Sequence, residues 1–470
     1  MLTARLFKDA NLADDVRSRF GAAPTAGELR VTHPPSGAML PMNLGSLALH
    51  FSGEPHTAYR LLVRSGDSRY HLYFSCEGYS CEYELPHSEL FDLGVKHAGG
   101  QLELVVQGVT ADGTVHESTK LSVALSPLPA LGTLYYGEML AGRLMRAERF
   151  DLPAQPFITP QSTTSAFYCV GCHSVSRNGE VAAFINSNNG QNAHGVQATP
   201  TATPDQPYFA PTREDDKPTT HLGVLAAPSP DGSKLAVVSD NRTLSVSDAR
   251  TNEVLDQLPL GDARIGTGKM ATHPEWSPDG TNIVVALSPN VGCSPAAFMA
   301  CQSSIGILPW DGQKLGTFKP LVVNAPGDAA TFHFYPTWSP AGDYVAFVGA
   351  GEVGFSADST SARSHRLHIV SVVGAPHTCP GDTCRELKAA TSDDTRPTVP
   401  RFMPHAASGD GKLLFLSFAS RRQYGSKAIG YTHLWLTAID STAKADPSFP
   451  AIWIPSQNRA VANSMPAWSE

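Results

Sequence analysis

Between residues 30 and 128 apolar and polar positions alternate in short runs: SLALHF (46–51), YRLLVRS (59–65), YHLYFSC (70–76), LELVVQGV (102–109) and KLSVALS (120–126). The runs are separated by SGEP, SGDS, KHAGG and TADGT. Alternation with a period of two marks strands with one buried face, and Gly, Pro, Asp and Ser supply the turns between them. The spacing predicts a small β-sandwich over 30–128, preceded by an N-terminal extension, 1–29.

Past the Pro-rich PLPALG (127–132) the pattern becomes a repeat. HPEWSPDGTNIVVALS (273–288), YPTWSPAGDYVAFVGA (335–350), APSPDGSKLAVVSD (227–240), the altered MPHAASGDGKLLFLSF (403–418) and the short MPAWSE (465–470) align on one turn. In the SPDG turn Asp accepts from backbone amides and Gly takes the φ > 0 position. Recurrence roughly every 45 to 70 residues suits propeller blades with inserted loops. Since a single strand cannot complete a blade without an open edge, TLYYGEMLAGRLMRAERFDLPAQPFITP (133–160) is expected to pair with the last repeat and close six blades. The expected fold is therefore all-β, a small N-terminal β-sandwich followed by a six-bladed β-propeller over 129–470.

The PxWSPDG units resemble the six-bladed propeller of the TolB C-terminal kind, over about residues 165 to 470. The strand spacing before them is similar to that of immunoglobulin or fibronectin sandwiches. Sandwich, CVGCHSVSRNG and propeller in series resemble a group of proteins from predatory soil bacteria. The likeness implies a fold and a binding platform, and no activity.

Composition agrees with many short strands: 41% of residues are hydrophobic, with 40 Gly and 37 Pro. The formal charge is −8, from 35 basic and 43 acidic side chains, with no Lys/Arg block to follow a phosphate backbone, so nucleic acid is not an expected partner. No run reaches the apolar length of a transmembrane helix. The eight cysteines fall in close pairs. Cys76–Cys81, Cys293–Cys301 and Cys379–Cys384 sit in loop-like sequence and are expected as disulfides. That predicts a periplasmic or extracellular location, with an export signal not visible in this numbering. Reduced thiols or a metal site are the alternative for these pairs.

The fourth pair spells CVGCH, the pattern of covalent haem c attachment. Cys169 and Cys172 would form the thioethers and His173 would be the proximal iron ligand of one haem. A redox disulfide or a metal site would use the same thiols. Aligned on the turn, SRNG falls on SPDG and His173 on Pro274, which puts the motif on an inner strand lining the channel. A second axial ligand is then sought at matching positions of other blades: Met270, His273, His333, Tyr335, Met403, His405 and Met465. Arg421 and Arg422 could pair with haem propionates or form an ordinary blade loop. No GxSxG, HExxH or Walker loop occurs.

Two functions follow. One is a monohaem c-type cytochrome on a propeller, serving electron transfer to a redox partner protein or small molecule, or, if enzymatic, acting as a peroxidase-like oxidoreductase. The other is a haem-free extracellular binding or scaffold protein with all cysteines in disulfides.

Overall fold

The computed structural model describes residues 4–9, 11–85, 87–159, 169–187, 194–209, 213–214, 217–218, 223–239, 241–289, 302–324, 332–351, 365–379, 381–391, 396–426 and 430–470. The chain is all-β in two parts, a sandwich and a propeller. In the sandwich, Ala58–Ser65 lies between Ser68–Phe74 and Gln101–Val109, both antiparallel to it. The facing sheet holds Arg30–His33, Ala48–Ser52 and Ser80–Glu84. Alternate positions of these strands meet in one core, including Phe51, Tyr59, Leu61, Phe74, Leu104 and Val106. Each such side chain contributes about 2 kcal/mol of transfer free energy.

Two features differ from the sequence expectation. Ala4–Lys8 pairs in parallel with Ser68–Phe74, and Thr25–Ala26 with Val115–Glu117, so residues 1–29 contribute strands to the larger sheet. His87–Lys96, within a stretch treated as connecting sequence, is a helix burying Leu90 and Leu93 one turn apart. Gly94 lets this helix meet the chain at Met42, whose carbonyl oxygen would lie 1.8 Å from any added Cβ. The sandwich core runs on into Phe415, Leu434, Ile452 and Trp468 of the propeller.

Six sheets form the propeller. Blades 1 to 5 begin with the inner strands Cys169–Val175, Leu225–Pro228, Lys269–Trp276, Phe332–Trp338 and Thr398–Phe402. Blade 6 takes its inner strand, Asn463–Ser469, from the far end of the sequence and pairs it antiparallel with Thr133–Glu138, followed by Arg143–Ala147 and Gln155–Ile158. Each inner strand packs against the next, and Asn463–Ser469 packs against Cys169–Val175, closing the ring.

The turn chemistry repeats. Ser277 Oγ donates to Asp279 Oδ1 at 2.5 Å, Asp279 Oδ1 accepts from the Thr281 amide, and Gly280 takes φ +71°. Ser229, Asp231 and Gly232 do the same in blade 2, and in blade 1 Asn178 replaces the Asp, accepting from Ser176 at 2.7 Å. The Trp of the repeat ties one blade to the one before it. Trp276 Nε1 donates to the Ala227 carbonyl at 3.1 Å, and Trp338 Nε1 to that of Glu275 at 3.2 Å.

Candidate functional site

Five of the six inner strands carry the same irregularity. In blade 1 the register passes from Gly171 opposite Ile185 to Ser174 opposite Ala183, so Cys172 and His173 together oppose one residue. The same two-against-one bulge falls at His273–Pro274, Tyr335–Pro336, Val399–Pro400 and Met465–Pro466. The first residue of each pair is left-handed: φ is +43° at Cys172, +50° at His273 and Tyr335, +47° at Val399 and +56° at Met465. Bulges re-aim side chains, and non-glycine residues hold φ > 0 only where the surroundings enforce it. Blade 2 keeps regular pairing, Leu225 with Val238 through Pro228 with Leu235.

The bulge turns the two residues of the CVGCH motif that it contains toward different neighbours. Cys172 is half-buried against two apolar clusters, one shared by blades 1 and 2 and the other by blades 2 and 3. His173 is buried on the side of blade 6, its ring 3.9 Å from where a Gly137 Cβ would stand, with the Met139 sulfur 3.3 Å from the same point. Neither His173 ring nitrogen makes a hydrogen bond of ordinary geometry. Burial above all pulls its pKa down to about 4, opposed by a contact with the Tyr135 backbone and aided to a lesser extent by the charge of Arg401, so the ring is neutral at neutral pH. The backbone of Cys169 is in the strand, while its side chain lies outside the described residues, as do Cys293 and Cys301. Cys76–Cys81 and Cys379–Cys384 are disulfides.

Three of the expected channel positions, His273, Tyr335 and Met465, share the level of Cys172. His273 meets the Tyr335 ring edge to face at 4.3 Å. The Tyr335 phenol is pushed above its ordinary range by burial and then by the neighbouring Cys172 sulfur. Met270 and His333 are buried nearer the strand starts, opposite Ser288 and Gly349 respectively. Met403 and His405 need correction. Blade 5 has a longer first hairpin, with Phe402 opposite Leu416 where blade 3 has Trp276 opposite Ile283, so the bulge, and the place matching Cys172, falls at Val399. Met403 is buried with the core shared with the sandwich, and His405 is exposed on the hairpin extension. Register, which backbone hydrogen bonds set, overrode an alignment made on the turn. Arg422 is half-buried over the rings of Phe418 and Trp435, and Arg421 donates to the Gly430 carbonyl.

Immediately after the bulges lies a row that the sequence reading passed over. Glu275, Thr337 and Arg401 occupy the same position on blades 3, 4 and 5. Glu275 accepts from the Thr337 hydroxyl at 2.9 Å and the Trp338 amide at 3.0 Å, and Arg401 lies 3.3 Å from its other oxygen. Burial raises the Glu275 pKa against the opposing pull of Arg401. The signal was there: HPEW and TVPRF place opposite charges at one repeat position.

Below this row all six blades line a cavity of about 100 Å3, and Arg177 reaches across it. Its guanidinium donates to the Pro340 carbonyl at 2.9 Å, the Pro404 carbonyl at 2.7 Å and the Glu470 carboxylate at 2.7 Å. Four blades are thus tied together at the turn end of the channel. Among the described residues no helix is long and apolar enough to cross a membrane.

No protein-family model and no curated protein matches the chain. Among solved structures, hydrazine synthase of Kuenenia stuttgartiensis is similar at 14% identity and TM-score 0.35, over 57% of this chain and 62% of that one. The β-propeller domain of the trilobed protease of Pyrococcus furiosus gives 10% and 0.33, over 72% and 79%. The dihydro-heme d1 dehydrogenase NirN, solved in complex with DHE, gives 13% and 0.34, over 72% and 75%. At such scores these likenesses carry no argument, and the architecture rests on the chain's own strand order: a β-sandwich joined to a six-bladed β-propeller.

Proposed function

We propose that the chain carries one covalently bound haem c, attached through Cys169 and Cys172 with His173 as proximal ligand, and serves one-electron transfer outside the cytoplasm. The observation that carries this reading is His173, a buried, neutral imidazole in a CVGCH motif whose ring nitrogens make no hydrogen bond of ordinary geometry and only a contact with the Tyr135 backbone. Such a ring is costly to bury for packing alone, since an unsatisfied buried polar group loses about 1–3 kcal/mol, whereas ligation would satisfy it. Gly137 keeps a side chain away from the ring on the blade 6 side. Bound haem would supply a one-electron couple whose potential follows the axial ligands.

The remaining work is done by the chain. Burial keeps His173 unprotonated, and so able to donate its lone pair, down to a pH near 4. His273 and Met465, at the positions matching Cys172, are the candidates for a second ligand, with Met270 and His333 farther along their strands. The disulfides Cys76–Cys81 and Cys379–Cys384 support a periplasmic or extracellular setting.

The test is to express the full chain in an exporting host with and without haem c maturation. Haem that stays with the protein through acid-acetone extraction, and is lost when Cys169 and Cys172 are both replaced by Ser, is the expected result. Colourless protein from the maturation-competent host, with Cys169 and Cys172 joined, would establish the haem-free binding protein instead.

A further inference from the structure

A second cavity, of about 350 Å3, lies where the sandwich meets blade 5, away from the propeller axis. Its volume is within the range of small-molecule sites, which concentrate at junctions between domains. The sandwich lines it with Ser46, Glu82 and Glu84, and the propeller with Tyr424, Trp453 and Arg459.

One of the two carboxylate charges in this cavity, that of Glu82, is answered from within. The Arg459 guanidinium is ion-paired to Glu82, and it also lies over the rings of Tyr424 and Trp453, at 5.8 and 5.9 Å from their centroids. Those two rings are stacked on each other at 4.5 Å. An ammonium ligand seeking Glu82 or the ring faces would have to displace Arg459, which leaves Glu84 as the one carboxylate of the cavity open to a ligand. His33, at the cavity wall, adds no charge, because burial and then His50 lower its pKa to about 3. Among the described residues no group of three His, Cys, Asp or Glu side chains could hold a metal ion.

What remains is rich in hydrogen-bonding groups of both kinds. Glu84 is exposed, with one oxygen accepting from the Ser46 hydroxyl at 2.8 Å. The neutral His33 imidazole and the Asn458 amide also line the cavity. A carboxylate, a guanidinium and an amide together suit a ligand that is uncharged and carries adjacent donors and acceptors.

We propose that this junction binds a neutral polyhydroxyl ligand, a single sugar ring, with Glu84 accepting from its hydroxyls and Arg459 donating to its oxygens. The site is independent of any haem at Cys172. It would make the sandwich and blade 5 one recognition surface, for free sugar or for the terminal residue of a glycan.

The experiment is saturation-transfer NMR on the full chain, with methyl α-glucopyranoside, methyl β-galactopyranoside and N-acetylglucosamine as probes and putrescine as the cationic control. At least one sugar should receive saturation and bind at least tenfold more weakly to Glu84→Gln, an isosteric change at an exposed position that leaves an acceptor for Ser46. The melting temperature of that variant should match that of the parent chain. Binding of putrescine in place of sugars, silence with all three sugars, or sugar binding undiminished in both Glu84→Gln and Arg459→Met would each overturn the assignment.

Discussion

Blade 1 and its four bulged counterparts share a backbone, and the residue after the left-handed position sets blade 1 apart. At Pro274, Pro336, Pro400 and Pro466 the residue after the left-handed position is proline, which has no N–H and a fixed φ, and so fits a place where the ladder is interrupted. In blade 1 that place is held by His173. The bulge itself is thus a device of the fold, present whether or not any chemistry is attached to it. The departure peculiar to blade 1 is the exchange of an inert ring for an imidazole, and that is where function should be sought.

The sharpest way to break this comparison is to make blade 1 like the others. His173→Pro should leave the strand content seen by circular dichroism unchanged. It should abolish low-spin haem, at least a tenfold loss of the low-spin optical signature in the purified protein, while the thioether link survives extraction. A low-spin spectrum retained in His173→Pro would mean that the iron ligand is elsewhere.

Acid should act next most strongly. The pKa values of His173, His365, His368 and His433 are lowered to about 4, in each case chiefly by burial, and that of His33 to about 3. A group that is neutral when folded and titrates near 6.5 when unfolded lets the unfolded chain bind more protons between those values. The stability from keeping these rings neutral is whole above about pH 6.5 and is lost as the pH falls toward 4. Urea midpoints measured at pH 7, 6 and 5 should therefore decline progressively, and His173→Gln should make the decline shallower.

Arg177→Ala tests the other end of the channel, removing three hydrogen bonds from a charged donor. A loss of about 2–3 kcal/mol is expected, read as a lower urea midpoint with an unchanged slope. The smallest effect belongs to the strain. Val399 is a β-branched residue at φ +47°. At Val399→Gly the lost packing is partly offset by relief of about 1 kcal/mol of backbone strain. Its cost should be about 1 kcal/mol, below that of Val345→Gly on a regular buried strand, in the same denaturation assay.

What could be seen in the sequence was whatever depends on local chemistry. The SxDG turn recurs because Ser, Asp and Gly each satisfy or permit one backbone feature within six residues, so it survives as a spelling. CVGCH is local in the same sense. Register is not, and the longer hairpin of blade 5 therefore displaced Met403 and His405 from the places their turn suggested. The helix at His87–Lys96 was obscured because its short apolar face, Leu90 and Leu93, is completed by Gly94 meeting Met42 from a distant segment. The sugar-sized junction was invisible for the same reason, since Glu84 and Arg459 are brought together only when the two parts meet.

The joint in blade 6 has a consequence for how the protein is made. Thr133–Glu138 is synthesised more than three hundred residues before Asn463–Ser469, so during translation the first of these strands waits with an edge unpaired until the second emerges. Exposed edges of this kind invite pairing with other chains. Arg177, waiting in blade 1 for the carbonyls of blades 4 and 5 and for Glu470, can complete its contacts only when Asn463–Ser469 and the residue after it arrive. The ring is therefore a late event in the life of the chain, and the hours-old protein and the nascent one should differ most in their exposure to aggregation at this one seam.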